Sequence, residues 1–462
     1  MIKKILFSCI TLVTLEVALA QDGSLDATFD VGLGTDANIE TTALQPDGKI
    51  LIGGAFSSYN GVTQNRIARL NSDGSLDNSF NAGGIGANNS VNSIIVQPDG
   101  KILICGAFEF YNNIPVSKII RLNSDGSLDT SFNNSTIASN YIYNMALQAD
   151  GKILIATQYN NVFRRIERLN SDGSLDASFN LGLGSNLDIL SIVTLSDGKI
   201  LIGGNFTSYN SVSTGNIAKL NSDGTLDTSF NSGTGFNGYV QKMVVQSDNK
   251  ILVGGYFSNY NGTNVNNFTR INADGSIDNS FNTGTGASNF VLSIAIQSDN
   301  KILIGGGFYV YNGMPITQLA RINQDGSLDS GFSPGSGPSG PIFSILIPSN
   351  EKAIVAGNFT TYNSADRRRI ARILANSTPL SIDDPKMTTL KYYPNPIEDT
   401  FYIESQNQIN NITITNLLGQ KLLMLEGNDN SIEVQVAQLP LGVYEVNVVL
   451  GEKTESFKVI KK

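Results

Sequence analysis

From residue 22 to about residue 376 the chain alternates short apolar runs with clusters of Gly, Asn and Asp, and the alternation recurs. One unit shows the grammar. A mostly apolar run, 91–97 (VNSIIVQ), is followed by Pro98-Asp99-Gly100 and a second run, 101–108 (KILICGAF). After Tyr111-Asn112-Asn113 comes a third run, 118–123, and Ser124-Asp125-Gly126 leads into a fourth, 127–132. Runs this short, rich in Ile, Leu, Val and Phe and bounded by turn formers, read as strands. No segment carries a helical period.

The Asp that opens each D-G-[ST]-[LI]-D falls at Asp22, Asp73, Asp125, Asp172, Asp223, Asp274 and Asp325. Four short antiparallel strands repeated at this spacing predict a β-propeller with seven blades. The seventh body ends without a fourth run, while an orphan fourth run, 24–29, stands at the N-terminal side. The predicted fold is all-β: a seven-bladed propeller over 21–376, closed by the N-terminal strand, which removes two exposed sheet edges.

The D-G pairs, among them Asp47-Gly48, Asp99-Gly100 and Asp197-Gly198, predict type I′ hairpin turns with positive φ at both central residues. Calcium is the alternative, since N-x-D-G-x-x-D offers several oxygens. The later Glu of an EF-hand loop is missing, and strands flank the motif. One position of the third run is basic in every unit: Arg69, Arg121, Arg168, Lys219, Arg270, Arg321 and Arg372. It reads as an anion-binding ring or as local ion pairs with the Asp-rich turn beside it; the carboxylates within each unit favour the pairs. The recurring Tyr59-Asn60, Tyr209-Asn210, Tyr260-Asn261, Tyr311-Asn312 and Tyr362-Asn363 read as structural, with sugar binding as the rival.

Composition narrows the chemistry. The 462 residues include no His, which removes Ser-His-Asp, Cys-His and His-ligated metal sites. There is no Trp, but 16 Tyr keep stacking available. A net charge of −9 without basic clusters argues against nucleic acid. Residues 1–20, with Lys3 and Lys4, an apolar core and Ala18-Leu19-Ala20, read as a secretory signal peptide. Its removal takes Cys9 and leaves Cys105 as a buried, inert thiol with no disulfide partner. No later segment is long and apolar enough for a membrane span.

Near residue 377 the grammar changes. Residues 377–390 read as a linker, and 391–462 as a small second all-β domain, a sandwich. QPDGKILIGGAF (45–56), YNG (59–61) and IARLNSDGSLDNSF (67–80) resemble the delta-60 repeat family, secreted and surface bacterial β-propellers without a general activity; the third unit departs most. The tail resembles the C-terminal sorting domain of the type IX secretion pathway of Bacteroidota, through Tyr393-Pro394-Asn395-Pro396, the stretch 416–420 with Gly419, the stretch 439–444 with Gly442, and the close at Lys461-Lys462. That resemblance implies passage through the periplasm, the type IX machinery as partner, and release or anchoring at the cell surface.

The first-to-second and third-to-fourth turns share one face of such a propeller; the variable connectors share the other. Binding is expected on the variable face, around the channel mouth. The leading reading is a secreted scaffold that binds a glycan or protein. A lyase or glycosidase using carboxylates such as Asp188 or Asp366, with the Arg367-Arg368-Arg369 run, is the second reading. A purely structural surface protein is the third. If the D-G loops are turns, a chelator leaves the melting temperature unchanged; a drop on chelation identifies them as calcium loops.

Overall fold

The computed structural model describes residues 21–133, 141–159, 163–349, 352–375, 390–416, 420–451 and 453–462. The signal peptide, the linker up to residue 389 and Gly419 lie outside them. The chain divides into two compact units, Met1–Thr378 and Pro379–Lys462.

In the first unit, seven three-stranded antiparallel sheets follow one another. The first blade pairs Ile39–Leu44 with Ile50–Gly54 and that strand with Ile67–Leu70. The first strand of each blade touches that of the next, and Ile342–Ser349 of the seventh meets Ile39–Leu44 again, so the ring closes. The cores lie between blades. Leu51 and Ile67 of the first blade pack with Val91, Ile102 and Ile120 of the second, all nearly inaccessible to water. Burying each such side chain contributes about 1.5–3 kcal/mol.

Closure takes the form the repeat phase requires. Leu25 bridges Ile373; Gly23 donates to the carbonyl of Leu374 at 2.7 Å and Leu374 to that of Ser24 at 2.9 Å. Phe29 and Val31 then fill the core between the last blade and the first.

Two local expectations are corrected. The fourth strand shrinks to one bridge per blade, such as Leu70↔Leu76 and Leu122↔Leu128. The next Asp bends the chain: Asp77 Oδ1 accepts the N–H of Ser79 at 3.0 Å, and Phe80 donates to the carbonyl of Asp77 at 3.2 Å. The turns are not type I′ either. Gly48 has φ +82° and donates to the carbonyl of Gln45 at 3.0 Å, whereas Asp47 is not in the left-handed region. This is a type I turn closed by one left-handed residue, with Pro46 at its second position. Asn249 (φ 64°) and Asn300 (φ 63°) take the same place in the fifth and sixth blades. The turn carboxylates are engaged locally: Asp73 Oδ1 accepts from the N–H (3.0 Å) and hydroxyl (2.7 Å) of Ser75.

The basic position in the third strand clamps blade to blade. Arg69 donates through Nε to Asp77 at 2.7 Å and through Nη1 to the carbonyl of Ser124, in the turn of the next blade, at 2.5 Å. Its guanidinium lies 4.8 Å from the centre of the Phe80 ring. Arg121, Arg168 and Arg270 repeat these contacts. Across the seam, Arg321 pairs with Asp329 and with Asp22, and Arg372 with Asp26. Lys219 is the departure: its Nζ reaches the carbonyl of Ala273 at 3.3 Å, and Asp227 is paired by Lys199 instead.

In the second unit five strands, Leu390–Tyr393, Thr400–Asn416, Lys421–Gln435, Gly442–Leu450 and Lys453–Lys461, form one continuous sheet. The second strand carries register breaks between Glu404 and Asn411, so Phe401 and Ile403 before the bend share one core with Ile412 and Ile414 after it.

Two tests follow from the clamp. Lys219→Arg restores the fork that the other blades use and raises stability by about 1 kcal/mol in chemical denaturation; no gain would mean that the clamp adds nothing. Burial alone would raise the Asp227 carboxyl, but Lys199 and Ser229 hold it down to about 2. The equivalent Asp77, Asp129 and Asp278 are likewise held below the usual carboxylate range. A carboxyl with a depressed folded pKa stabilises fully above its ordinary value of 3.8 and loses that contribution as pH falls through the folded value. The melting temperature is therefore level above about pH 5 and falls steeply between about pH 4 and 2.

Candidate functional site at the channel mouth

In each blade the first strand faces the central channel, and its register slips at the same place. Ile39 opposes Gly54 but Thr41 opposes Gly53, leaving Glu40 as the extra residue of a bulge. All seven blades do this, at Glu40, Asn92, Tyr143, Leu190, Gln241, Leu292 and Phe343. A bulge re-aims side chains, and here the extra residue and its successor both border the channel in six blades.

The second glycine of the pair at 53–54, kept in six blades and replaced by Thr157 in the third, makes room for the bulge. A Cβ on Gly54 would stand 2.1 Å from the carbonyl oxygen of Asn38, and one on Gly204 2.0 Å from that of Asp188. On Gly53 it would meet Val91 and Ile94 of the next blade at 2.9 Å.

The connectors of the same face are tied down. Asp36 Oδ1 accepts the N–H groups of Ser57 (2.8 Å) and Ser58 (3.0 Å); Asn88, Asn186, Asn237, Ser288 and Ser339 serve their blades alike. The Tyr-Asn pairs belong to this bracing. Tyr59, fully buried, donates its hydroxyl to the carbonyl of Gly74 at 2.6 Å, and Asn60 Oδ1 accepts from Leu33 at 3.0 Å. Of the carboxylates singled out in the sequence, Asp188 is paired with Arg164 at the fourth blade, and Asp366 lies 3.6 Å from Arg368 on the seventh. Three blades separate them around the ring, and no site joins them. Cys105 is buried, and burial pushes its thiol up.

The variable chemistry instead collects at the start of the first strands. The channel encloses about 580 Å³ and is bordered by Glu40, Asn92, Tyr143, Gln241, Lys242 and Phe343, among others. A second hollow of about 380 Å³ shares Gln241 and Leu292 with it and is walled by Tyr239, Tyr256, Asn289 and Phe290. Tyr239 and Tyr256 pair across the strands and are 52% and 59% exposed, in a propeller whose repeated Tyr are buried. Burial pushes the Glu40 carboxyl up, and Asn38 opposes this through a hydrogen bond. Desolvation pushes the Lys242 ammonium down. Among the described residues no group of three or more Asp, Glu or Cys side chains is placed to hold a metal, and no helix is long and apolar enough to cross a membrane.

The repeat motifs do not single out the channel-lining residues. The available signal was positional: aligned on their turns, the first strands differ at the residues flanking the bulge and agree elsewhere.

In the tail, residues expected to form the sorting motif meet from its two ends. Asn395 donates to the carbonyl of Lys458 at 3.2 Å and accepts from the N–H of Ile460 at 2.9 Å. Lys461 is buried and pairs with Asp399 at 3.0 Å, and Lys462 donates to the carbonyl of Ile397 at 2.9 Å. Tyr393 donates to Glu404, Pro394 and Pro396 follow cis peptide bonds, and Gly442 opens the fourth strand opposite Lys461.

Comparison with known proteins agrees with the repeat count. Seven segments, 45–80, 97–132, 148–179, 195–230, 246–281, 297–332 and 349–379, match a β-propeller family described as a domain of unknown function, DUF5122. Residues 391–462 match the secretion system C-terminal sorting domain. No curated protein matches. Among solved structures, PorZ, an essential bacterial surface component of the type IX secretion system of Porphyromonas gingivalis, is 14% identical with a TM-score of 0.46. That likeness covers 93% of this chain and 60% of PorZ, so the chain spans less than two thirds of that protein. A gluconolactonase of Xanthomonas campestris is 14% identical over 59% of this chain and 84% of its own, with a TM-score of 0.36. YCF48 of Cyanidioschyzon merolae is 13% identical over 74% of this chain and 97% of its own, with a TM-score of 0.39. The chain belongs to the DUF5122 β-propeller family and carries a type IX sorting domain, which directs it to the cell surface or the extracellular space.

Proposed function

We propose that the exported propeller is a non-catalytic binding module that takes a saccharide at the channel mouth. One observation carries this reading. Exposed aromatic rings wall a hollow that adjoins, through Gln241 and Leu292, the channel where unlike polar groups meet, while the connectors around it spend their polar groups on one another. Sugars present apolar faces and hydroxyl edges, which such a mixture of Tyr, Gln, Asn and Glu matches. The concavity favours a small or chain-like ligand over a flat protein surface.

The hydrolase reading lacks its partner group. A glycosidase needs two carboxyl groups about 5–9.5 Å apart, and Glu40 is the one carboxylate among the described residues bordering the channel. The sorting domain supplies the second partner, the type IX machinery.

A glycan array probed with the protein lacking residues 1–20 tests the reading. Retention of an oligosaccharide without release of product is expected. Tyr239→Ala and Tyr256→Ala each weaken binding about three- to tenfold with an unchanged melting temperature, because both rings are exposed. Product release would favour the enzyme, and no retention of any saccharide a purely structural protein.

A further inference from the structure

Lys242 breaks a rule that the rest of the ring keeps. At its position, just after the bulge, the other blades carry Thr41, Ser93, Asn144, Ser191, Ser293 and Ser344. These small polar groups have a structural use. Ser191 Oγ accepts the backbone N–H of Met243 in the next blade at 3.1 Å, and Ser293 Oγ accepts that of Ile345 at 2.8 Å. A lysine cannot accept, so it does not serve this purpose.

Its charge is also unanswered. Among the described residues Lys242 makes no ion pair and no side-chain hydrogen bond, and burial alone weighs against its ammonium. The contrast with the clamp is sharp: there Lys49, Lys101, Lys152 and Lys199 each sit on an Asp at 2.7–2.8 Å. Lys242 is the one cation bordering the channel among the described residues. On one side the neighbouring blade presents Ser293 at the channel, whose oxygen already accepts a backbone N–H, leaving its hydroxyl proton to be donated; Ser191, on the other side, is buried and does not border the channel. The channel wall thus offers an ammonium and, on the neighbouring blade, a hydroxyl donor, groups that suit an anionic partner.

We propose that the ligand is an acidic saccharide whose carboxylate sits on Lys242, with its sugar ring against Tyr239 and Tyr256. This rests on the saccharide reading above and adds the charge. Gln241 links the two places, bordering both the channel and the aromatic hollow. Glu40, in the first blade, stands three blades from Lys242 around the ring and accepts hydroxyls of the ligand's neutral part. It also disfavours a ligand charged at every unit. The net charge of −9 repels anions at the outer surface, so recognition requires the acid group to reach the channel.

The test uses the protein lacking residues 1–20 and three probes: a uronate-containing oligosaccharide, its carboxyl-reduced counterpart and free acetate. The decisive variant is Lys242→Ser, which installs the residue that four other blades carry here and should fold; Lys242→Arg keeps the charge. Titration calorimetry is expected to show the acidic oligosaccharide binding wild type roughly ten- to a hundredfold more tightly than the reduced one. Lys242→Ser removes that difference and leaves binding of the reduced probe unchanged, while Lys242→Arg retains most of it. Acetate alone binds too weakly to measure, because it lacks the sugar. Equal binding of the acidic and reduced probes, unchanged in Lys242→Ser, would overturn the charge assignment and leave the saccharide reading standing. Binding of acetate as tight as that of the oligosaccharide would mean a simple anion site and overturn both. No binding of any probe would also end both.

Discussion

The ring depends on one contact made repeatedly: a guanidinium on the third strand that holds the Asp of its own blade and a carbonyl of the next blade's turn. Hydrophobic packing between blades supplies most of the stabilisation but little direction. The Arg–Asp–carbonyl clamp supplies direction, because its planar fork fits only when adjacent blades sit at a fixed angle. Both partners are buried and hydrogen-bonded on several sides, which sets the clamp apart from a weak surface ion pair. The seam is no exception. Asp26, from the N-terminal side, takes the place that other blades fill from within, and Arg321 meets both the carbonyl of Ala375 and the carboxylate of Asp22, so both ends of the repeat array enter the clamp at the joint.

A second constraint acts at the other face. Each bulge in the first strand sets a carbonyl close to the second strand, where six blades carry a glycine as the second residue of the pair and the third blade carries Thr157. The third unit, with Ala156-Thr157 in that place, is also the one whose short connector hairpin is replaced by a long ladder, Ile153–Tyr159 with Phe163–Leu169. Backbone geometry, not ligand chemistry, thus accounts for the most conspicuous repeated motif after the D-G turns.

The features legible in the sequence are those that repeat. Seven Asp-Gly turns at near-constant spacing give the blade count, and the orphan run at 24–29 gives the closure, confirmed by Leu25 against Ile373. Turn type was not legible, because D-G fits both I′ and a type I turn closed by a left-handed residue; Pro46 was the clue, since it suits the second position of type I. The short fourth strand was hidden because Ser-Leu-Asp reads as extended until the Asp side chain is seen to bend the chain. The channel-lining residues were hidden for a different reason. They sit inside apolar runs, where Gln241 or Lys242 looks like a tolerated exception, and only the bulge reveals that two successive side chains face the same way.

These facts separate the chain into two kinds of position. Where most blades agree, the shared residue has a structural use visible in its contacts: Arg on Asp, Tyr on a glycine carbonyl, Asn on a connector N–H. Where they disagree, at the connectors and at the start of the first strands, the residues of the first strands gather at the channel. Desolvating a lysine without an ion partner costs stability, and Ser, which four other blades carry there, would avoid that cost. A scaffold that seats its other repeated lysines on carboxylates, yet keeps an ammonium without an ion partner at the border of its central cavity, points to a partner from outside the chain.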